Sequence, residues 1–335
     1  MVKKPGGPFE ESTLVHSPPG VKHVAVRICA SGVNPLDTKI RAGRAEHAKQ
    51  PLPAVLGVDM AGIVEEVGPG ISAFKTGDQV YGMVGGVGGL QGTLAEIITV
   101  DADLLAHKPK NFSMREAAVL PLSAITAWEG LVDRARIHEG QDVLIHAGAG
   151  GVGSIALQLA RTYGAKVFAT VSASKKKIVE DLGAVPIDYR SFSVEGYVAS
   201  YTGGKGFDIV YDTVGGATLD ASFAAVKRYT GHVLSCLGWG THYLAPLSFR
   251  GATYSGVFTL LPLISGENRA HHGRILSEFA ALAEAGKIKP LLSEQHFLPA
   301  DLEGAYARVE VGSLGKVVIE IGSDSSARQH SVSSR

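Results

Sequence analysis

Cysteine is nearly absent from this sequence, which has two, Cys29 and Cys236, in 335 residues. They lie far apart, each in an apolar stretch, so the pattern predicts two buried free thiols. A disulfide framework or a zinc site built from cysteines needs more of them at closer spacing. Both classes of protein are therefore excluded.

Neither sign of charge predominates, with 32 basic and 32 acidic residues and a formal net charge of zero. The longest cationic run, Lys175–Lys177, is too short for the basic surface of a nucleic-acid-binding protein. No apolar stretch is long enough to span a membrane, and MVKKPGGPFEES (1–12) lacks the apolar core of a secretion signal. The sequence therefore predicts a cytoplasmic protein that acts on a small molecule and binds neither nucleic acid nor membrane.

Glycine is abundant instead, with 42 residues, and it divides the chain into two kinds of pattern. Before residue 114, short alternating segments such as VKHVAVRICASGV (21–33) and DQVYGMV (78–84) predict strands of a compact β-barrel. From residue 114, strands alternate with helices, as in DVLIHA (142–147) and VGSIALQLARTYG (152–164). This alternation predicts an α/β fold with a doubly wound parallel sheet.

Two glycine-rich segments resemble phosphate-binding loops. The first, GMVGGVGGLQG (82–92), has no G-x-G-x-x-G and precedes a strand, so it is interpreted as a flexible loop. The second, Gly148–Gly153, satisfies G-x-G-x-x-G between a strand and a helix, and a second strand follows. It predicts a pyrophosphate site at a helix N-terminus.

The residues after the next strand indicate which dinucleotide binds. NAD sites usually have an acidic residue about 20 positions past the glycines for the ribose 2′-hydroxyl. This chain has VSASKKK (171–177) there, and its hydroxyl and ammonium groups suit a 2′-phosphate. The alternative is a solvated helix start, although cations at a helix N-terminus oppose the dipole. The pattern favours NADP(H).

Four segments together resemble the medium-chain dehydrogenase/reductase superfamily, and within it the zinc-free quinone oxidoreductases of the zeta-crystallin type. They are SGVNPLDTKIR (31–41), LGVDMAGIVEEVGPGISAFKTGDQVYG (56–82), HAGAGGVGSIALQLAR (146–161) and DIVYDTVGG (208–216). The resemblance implies a GroES-like β-barrel catalytic domain (1–113 and 265–325) and a Rossmann nucleotide-binding domain (114–264). Residues 326–335 are predicted to be a disordered tail.

The resemblance also bears on metal. Zinc-dependent members have Cys where this chain has Asn34, and Gly-His-Glu where it has Gly57-Val58-Asp59. Asparagine and valine do not replace a thiolate and an imidazole as zinc ligands. Those members also build a four-cysteine zinc lobe near the 82–92 segment, which contains no cysteine. The comparison predicts that both metal sites are absent.

By resemblance, eleven residues bind the cofactor. Gly150, Gly151, Val152 and Gly153 contact the pyrophosphate, Ser172, Lys176 and Tyr189 surround the 2′-phosphate, and Gly238, Trp239, Phe258 and Thr126 line the path to the nicotinamide and its ribose.

The catalytic candidates are Asn34 and Asp37. Asn34 occupies the former metal-ligand position beside the nicotinamide, although an Asn-Pro turn residue is an equal alternative. Asp37 follows one turn later, and its alternative role is to cap the helix. Asp59 is interpreted as structural.

The expected reaction is metal-free transfer of a hydride from NADPH to a quinone or an α,β-unsaturated carbonyl. Relatives often have two tyrosines where this chain has Lys39 and residues 43–45. The hydride acceptor is therefore a quinone, an enone or an enoyl thioester, and the sequence does not choose among them. Trp239, Tyr243 or Phe258 are candidates to supply the missing aromatic wall. The alternatives are a zinc alcohol dehydrogenase and a non-catalytic, crystallin-like NADPH-binding protein. The apolar segment 252–260 is predicted to form a sheet edge that pairs with a second copy in a homodimer.

Overall fold

The structure is a computed structural model and describes residues 1–322. Its strands are β1 (His23–Val33), β2 (Asp59–Val67), β3 (Gln79–Met83), β4 (Ile97–Asp101), β5 (Leu105–His107), β6 (Asp142–Ile145), β7 (Lys166–Val171), β8 (Val185–Asp188), β9 (Ile209–Asp212), β10 (His232–Ser235), β11 (Thr253–Gly256) and β12 (Val317–Glu320). Its α-helices are α1 (Pro35–Arg41), α2 (Met114–Ala118), α3 (Pro121–Trp128), α4 (Gly151–Thr162), α5 (Lys176–Asp181), α6 (Val194–Thr202), α7 (Ala217–Ala225), α8 (Ala245–Ser248), α9 (Leu261–Ser265), α10 (Arg269–Glu284) and α11 (Leu302–Glu310). A π-helical turn, Glu129–Arg134, follows α3. Short 3₁₀ turns lie at Glu46–Ala48, Ala102–Leu104, Ala173–Lys175 and Pro299–Asp301.

The described chain divides into two compact units. Unit 1 comprises Met1–Leu122, Leu260–Glu284 and the described residues from Leu292 onward, and unit 2 comprises Ser123–Thr259 and Ala285–Leu291. The sequence placed these divisions after residues 113 and 264 and did not separate the segment 285–291. The predicted tail, 326–335, lies outside the described residues.

Unit 1 is built on an antiparallel sheet of six strands. Its order is β12-β1-β2-β3-β5, and β4 also pairs with β1. β1 is the central strand, with three neighbours, and nearly all of its residues are buried. A strand with that much apolar surface is stable only between such neighbours, since burial of apolar area is the main favourable contribution to folding.

Unit 2 is a six-stranded parallel sheet in the order β11-β10-β9-β6-β7-β8. Its central strands, such as β6 and β9, are apolar on both faces, which is typical of parallel sheets covered by helices. The strand order reverses between β6 and β9, the point at which doubly wound sheets place their ligands. Phe168, Phe207 and Phe223 lie in the core.

The sequence predicts a helical pattern over 114–135 that is interrupted by Pro121, and the structure has two helices and a π-helical turn there. α2 begins after Ser113, whose hydroxyl accepts from the amide of Glu116 at 3.2 Å, and ends at Ala118. α3 then begins at Pro121, whose missing N–H is tolerated only in a first helical turn. Proline therefore separates two helices rather than bending one.

The turn between β6 and α4 depends on close backbone packing. A Cβ at Gly153 would lie 2.2 Å from the carbonyl oxygen of Ala147. Such a contact forces the helix away from the turn, since backbone atoms cannot rotate aside as a side chain does.

We therefore expect Gly153→Ala to lower the free energy of unfolding by about 1–3 kcal/mol, measured by thermal unfolding. Gly304→Ala in α11 is the matched control, because its nearest contact would be an ordinary 3.8 Å to Phe297. There the better helix propensity of alanine should stabilise the protein by up to about 1 kcal/mol. Equal effects of the two substitutions would contradict the role given to Gly153.

Candidate active site

Asn34 and Asp37 form the beginning of α1 in unit 1. Asn34 is the N-cap residue, and its backbone N–H donates to Asp37 Oδ2 at 2.7 Å. Pro35 occupies the first helical position, where it costs no hydrogen bond. Asp37 thus has the capping role that the sequence offered as its alternative.

The side chain of Asn34 is held from two sides by charged groups. Its Nδ2 donates to Asp59 Oδ2 at 2.9 Å, and its Oδ1 accepts from Lys316 Nζ. An ammonium only donates and an ionised carboxylate only accepts, so the two partners fix the orientation of the amide. The exposed fraction of Asn34 is 1%. The amide is therefore a preorganised part of a buried network.

Asp59 connects this network to the backbone. Its Oδ1 accepts from the amide of Leu122 at 2.9 Å, and its Oδ2 lies 3.8 Å from Lys316 Nζ. The hydroxyl of Thr93 donates to the Asp59 carbonyl at 3.1 Å. These contacts agree with the structural interpretation of Asp59. They also bring in Lys316, which the sequence analysis did not single out.

Burial changes the pKa of each ionisable group in the network. Desolvation raises the pKa of Asp37 to about 7 and that of Asp59 to about 6. Desolvation also lowers the pKa of Lys316, against the opposing effect of the two carboxylates. One ammonium with two carboxylates leaves a buried negative charge, which a proton on Asp37 removes. No described residue forms a hydrogen bond to Asp37 Oδ1.

The donor set at this position does not fit a zinc ion. Val58 is fully buried and has no ligand atom, and the Asn34 oxygen already binds an ammonium group, which would repel a divalent cation. Within residues 1–322, no cluster of three His, Cys, Asp or Glu residues is arranged to hold a metal ion.

The second predicted group lies at the turn from β6 to α4 in unit 2. Gly150 is the N-cap and is exposed, whereas Gly151 and Val152 are half-buried and Gly153 packs on the turn. The first amides of a helix have no partner inside it, and the dipole there favours an anion. The four predicted residues are therefore contiguous at an accessible helix N-terminus whose chemistry fits a pyrophosphate.

The third group lies after β7 and β8. Val171 pairs with Asp188 in parallel register, so Ser172 and Tyr189 leave the sheet side by side. Lys176 reaches the same edge, where its Nζ lies 3.6 Å from Asp188 Oδ2. The structure thus brings together Ser172, Lys176 and Tyr189, and adds a carboxylate that the sequence analysis missed.

The remaining predicted residues make three separate contacts in unit 2. The rings of Trp239 and Phe258 meet edge to face, with centroids 5.6 Å apart. A Cβ at Gly238 would lie 2.4 Å from the Tyr254 hydroxyl oxygen, so glycine allows that approach.

Thr126 is buried, its hydroxyl oxygen lies 3.4 Å from that of Thr259, and its carbonyl accepts from the Tyr211 hydroxyl at 2.6 Å. Thr126 is thereby fixed in position by both its side chain and its backbone.

The glycine-rich segment 82–92 packs within unit 1. Val84 and Val87 are buried, and a Cβ at Gly85 would lie 1.8 Å from the Gln91 carbonyl oxygen. The Gly88 amide donates to the Ala48 carbonyl at 2.9 Å. Its glycines therefore permit tight folding of the segment that the sequence analysis interpreted as a flexible loop.

Comparison with known proteins identifies the family. Residues 20–110 match the description "Alcohol dehydrogenase GroES-like domain", and residues 151–263 match "Zinc-binding dehydrogenase". The chain is 36% identical to 2-methylene-furan-3-one reductase of Solanum lycopersicum, over 88% of this chain and 71% of that protein. It is 35% identical to the chloroplastic NADPH-dependent alkenal/one oxidoreductase of Arabidopsis thaliana, over 92% and 75%. The chain belongs to the medium-chain dehydrogenase/reductase superfamily.

A solved structure agrees with this assignment. An alcohol dehydrogenase superfamily protein from Novosphingobium aromaticivorans is 55% identical and superimposes with a TM-score of 0.94, over 96% of this chain and 98% of the other. The resemblance inferred from the sequence and the α/β fold are both confirmed. As a member of this superfamily, the protein is an oxidoreductase that uses NAD(P)H. No helix of residues 1–322 has the length and apolar character needed to cross a membrane.

The raised pKa of Asp37 predicts a specific dependence of stability on pH. Its contribution is complete below its ordinary pKa of 3.8 and is lost as the pH rises through about 7. Asp37→Asn keeps an acceptor for the Asn34 amide and removes the charge. We expect the advantage of the variant over the wild type in free energy of unfolding to grow by about 2–3 kcal/mol from pH 5 to pH 8, because the wild type must bury the Asp37 charge as the pH rises.

The measurement is thermal or urea unfolding at both pH values. Asp103→Asn, which changes an exposed carboxyl group in the same unit, is the control and should leave the pH dependence unaltered. If Asp37→Asn shows the wild-type pH dependence, the buried proton is not on Asp37.

Proposed function

We propose that this protein is a zinc-independent, NADPH-dependent reductase of α,β-unsaturated carbonyls or quinones. The observation that carries the proposal is the Asn34 amide held by Asp59 and Lys316 where zinc-dependent relatives have a thiolate ligand. Without a Lewis acid, the acceptor must already be electrophilic, as enones and quinones are. The names of the two plant reductases support an enone.

The bound nicotinamide supplies a hydride. In an enone the hydride forms a bond to the β-carbon, the C=C π bond breaks, and a proton from water completes the saturated carbonyl at the α-carbon. In a quinone the hydride would supply two electrons and one proton, and a second proton from water would complete the hydroquinone. The protein's part is to hold the cofactor, orient the acceptor and stabilise the negative charge that develops on its oxygen.

Asn34 and Asp37 remain the residues proposed for the catalytic face. One Nδ2–H of Asn34 is donated to Asp59, which leaves the other as a donor for the acceptor oxygen. Asp37 acts through Asn34, because it binds the backbone of that residue. It is thus proposed as a positioning residue.

The preference for NADPH over NADH is part of the proposal. The carboxyl ends of β7 and β8 bring together Ser172, Lys176 and Tyr189. The ring of Tyr189 is 52% exposed. Hydroxyl and ammonium groups at that edge suit a phosphate on the ribose. The alkenal/one oxidoreductase of Arabidopsis, as its name states, depends on NADPH.

The function is tested by steady-state oxidation of NADPH with small enones, 1,4-benzoquinones and 9,10-phenanthrenequinone, each with and without a chelator. We expect turnover with at least one acceptor class and no loss on chelation. Saturated ketones are the matched control and should be inert, because their C=O is not activated. An enoyl thioester tests the remaining acceptor class.

Two outcomes would replace the proposal. Loss of activity with a chelator, restored by zinc, would favour the zinc alcohol dehydrogenase. Tight NADPH binding without turnover on any acceptor would favour a non-catalytic, crystallin-like protein.

We further propose that the protein is a homodimer that pairs through β11. This strand lies at the edge of the parallel sheet, and Thr253, Tyr254 and Gly256 are exposed. An exposed sheet edge offers unpaired backbone groups to a second copy.

Light scattering should give the mass of a dimer, and Thr253→Lys should shift it toward the monomer. Val311→Lys, at an exposed position of unit 1, should not; a wild-type monomer would refute the pairing.

The cytoplasmic location also remains a proposal, and it rests on the sequence. The Arabidopsis relative is named as chloroplastic, so members of the superfamily occur in other compartments.

A further inference from the structure

Not every cationic side chain near the carboxyl ends of β7 and β8 is available to a ligand. Lys176 Nζ lies 3.6 Å from Asp188 Oδ2, and the two side chains are 42% and 6% exposed. Lys177 is bound to Asp181, four residues along the same helix. Each pair has no net charge. The ammonium of Lys176 therefore adds little net positive potential for a dianionic phosphate at this edge.

Arg190 is a further cation near the carboxyl ends of β7 and β8. Its backbone amide donates to Asp188 Oδ1 at 3.1 Å, and the Ser191 amide donates to the Asp188 carbonyl at 3.0 Å. This turn fixes Arg190 two residues beyond the end of β8. Its guanidinium carbon lies 5.6 Å from the centroid of the Tyr189 ring, within the range of a cation–π contact.

The side chain of Arg190 is accessible and is not neutralised. Arg190 is exposed, and no carboxylate within residues 1–322 forms an ion pair with it. The contact with the Tyr189 ring restricts the position of the guanidinium, and its exposed N–H groups can still donate to a ligand. Its planar donors match the oxygens of a phosphate in a two-point contact, which an ammonium cannot make.

We propose that Arg190 is a specificity-determining residue that binds the 2′-phosphate of NADP(H), beside Lys176 and stacked on Tyr189. The inference rests on the NADPH preference proposed above and deepens it. Asp188 is a positioning residue in this arrangement, because one carboxylate oxygen fixes the backbone of Arg190 and the other faces Lys176. A phosphate monoester carries about −1.5 to −2 charge at neutral pH, so a second, unpaired cation is needed to balance it.

The test uses two fragments of the cofactor and does not depend on turnover. Isothermal titration calorimetry compares 2′,5′-ADP with 5′-AMP, which differ only in the 2′-phosphate. We expect Arg190→Ala to weaken 2′,5′-ADP binding about ten-fold and to leave 5′-AMP binding within about two-fold. Arg190→Gln should cause the same loss, because it keeps a polar, hydrogen-bonding side chain and removes the charge.

Two further variants complete the series. Lys177→Ala is the matched control, since it removes a neighbouring cation already paired with Asp181, and it should bind both fragments as the wild type does. Lys176→Ala should weaken 2′,5′-ADP selectively, like Arg190→Ala. In turnover, Arg190→Ala should raise KM for NADPH far more than it raises KM for NADH.

The outcomes separate the two levels of the proposal. If Lys176→Ala weakens 2′,5′-ADP and both Arg190 variants bind it normally, the inference about Arg190 is wrong and the NADPH preference stands. If the wild type binds 2′,5′-ADP no better than 5′-AMP, the NADPH preference itself is wrong. A loss of 5′-AMP binding equal to that of 2′,5′-ADP would also overturn the inference, because it would mean that Arg190 supports the fold of the site.

Discussion

The ammonium group of Lys316 is enclosed where the first, second and last strands of unit 1 meet. Val33 pairs with Val317 and Gly32 pairs with Asp59, so the register of β1 with its neighbours places Asn34, Asp59 and Lys316 side by side. A buried charge must be compensated by partners, and here the carboxylate and the amide provide them. A shift of either strand by one residue would turn these side chains to the opposite face and leave the ammonium uncompensated. The network therefore depends on the register of the whole sheet.

The same network fixes the side chain at position 34, where zinc-dependent members of the superfamily have a metal-binding cysteine. A thiolate at position 34 would hold its place by bonding to a metal. The neutral amide of Asn34 bonds instead to an ammonium on one side and to a carboxylate on the other. A fixed amide dipole costs no reorganisation when charge develops near it, which is the property that electrostatic catalysis needs. The side-chain exposure of Lys316, one-tenth, keeps water from weakening these bonds.

Most local elements of the fold could be predicted from the sequence. The contacts that could not be predicted join residues that are far apart in the chain. The strand, glycine turn and helix at 142–162 were predictable because local spacing determines them. Lys316 was not, since a lysine before an apolar strand usually lies in solvent, and its enclosure depends on Asn34 and Asp59, more than 250 residues earlier in the chain. Asp188 was missed for the same reason, because only the parallel register of β7 and β8 brings it to Lys176. The proposed roles of the catalytic and cofactor residues stay predictions.

Two lysines of this protein carry the same charge but differ in burial, and the difference in burial accounts for their different roles. Lys316 is almost enclosed and gives its donors to Asn34 inside the sheet, so it serves as part of the framework. Lys176 is 42% exposed, and its partner Asp188 stands 3.6 Å away, beyond an ideal hydrogen bond. An exposed pair of this kind is worth little in stability, about 0–1 kcal/mol, so a phosphate can compete for the ammonium at small cost. The weakness of this pair is therefore consistent with the proposed role of Lys176, and Arg190 is proposed to add net positive charge beside it.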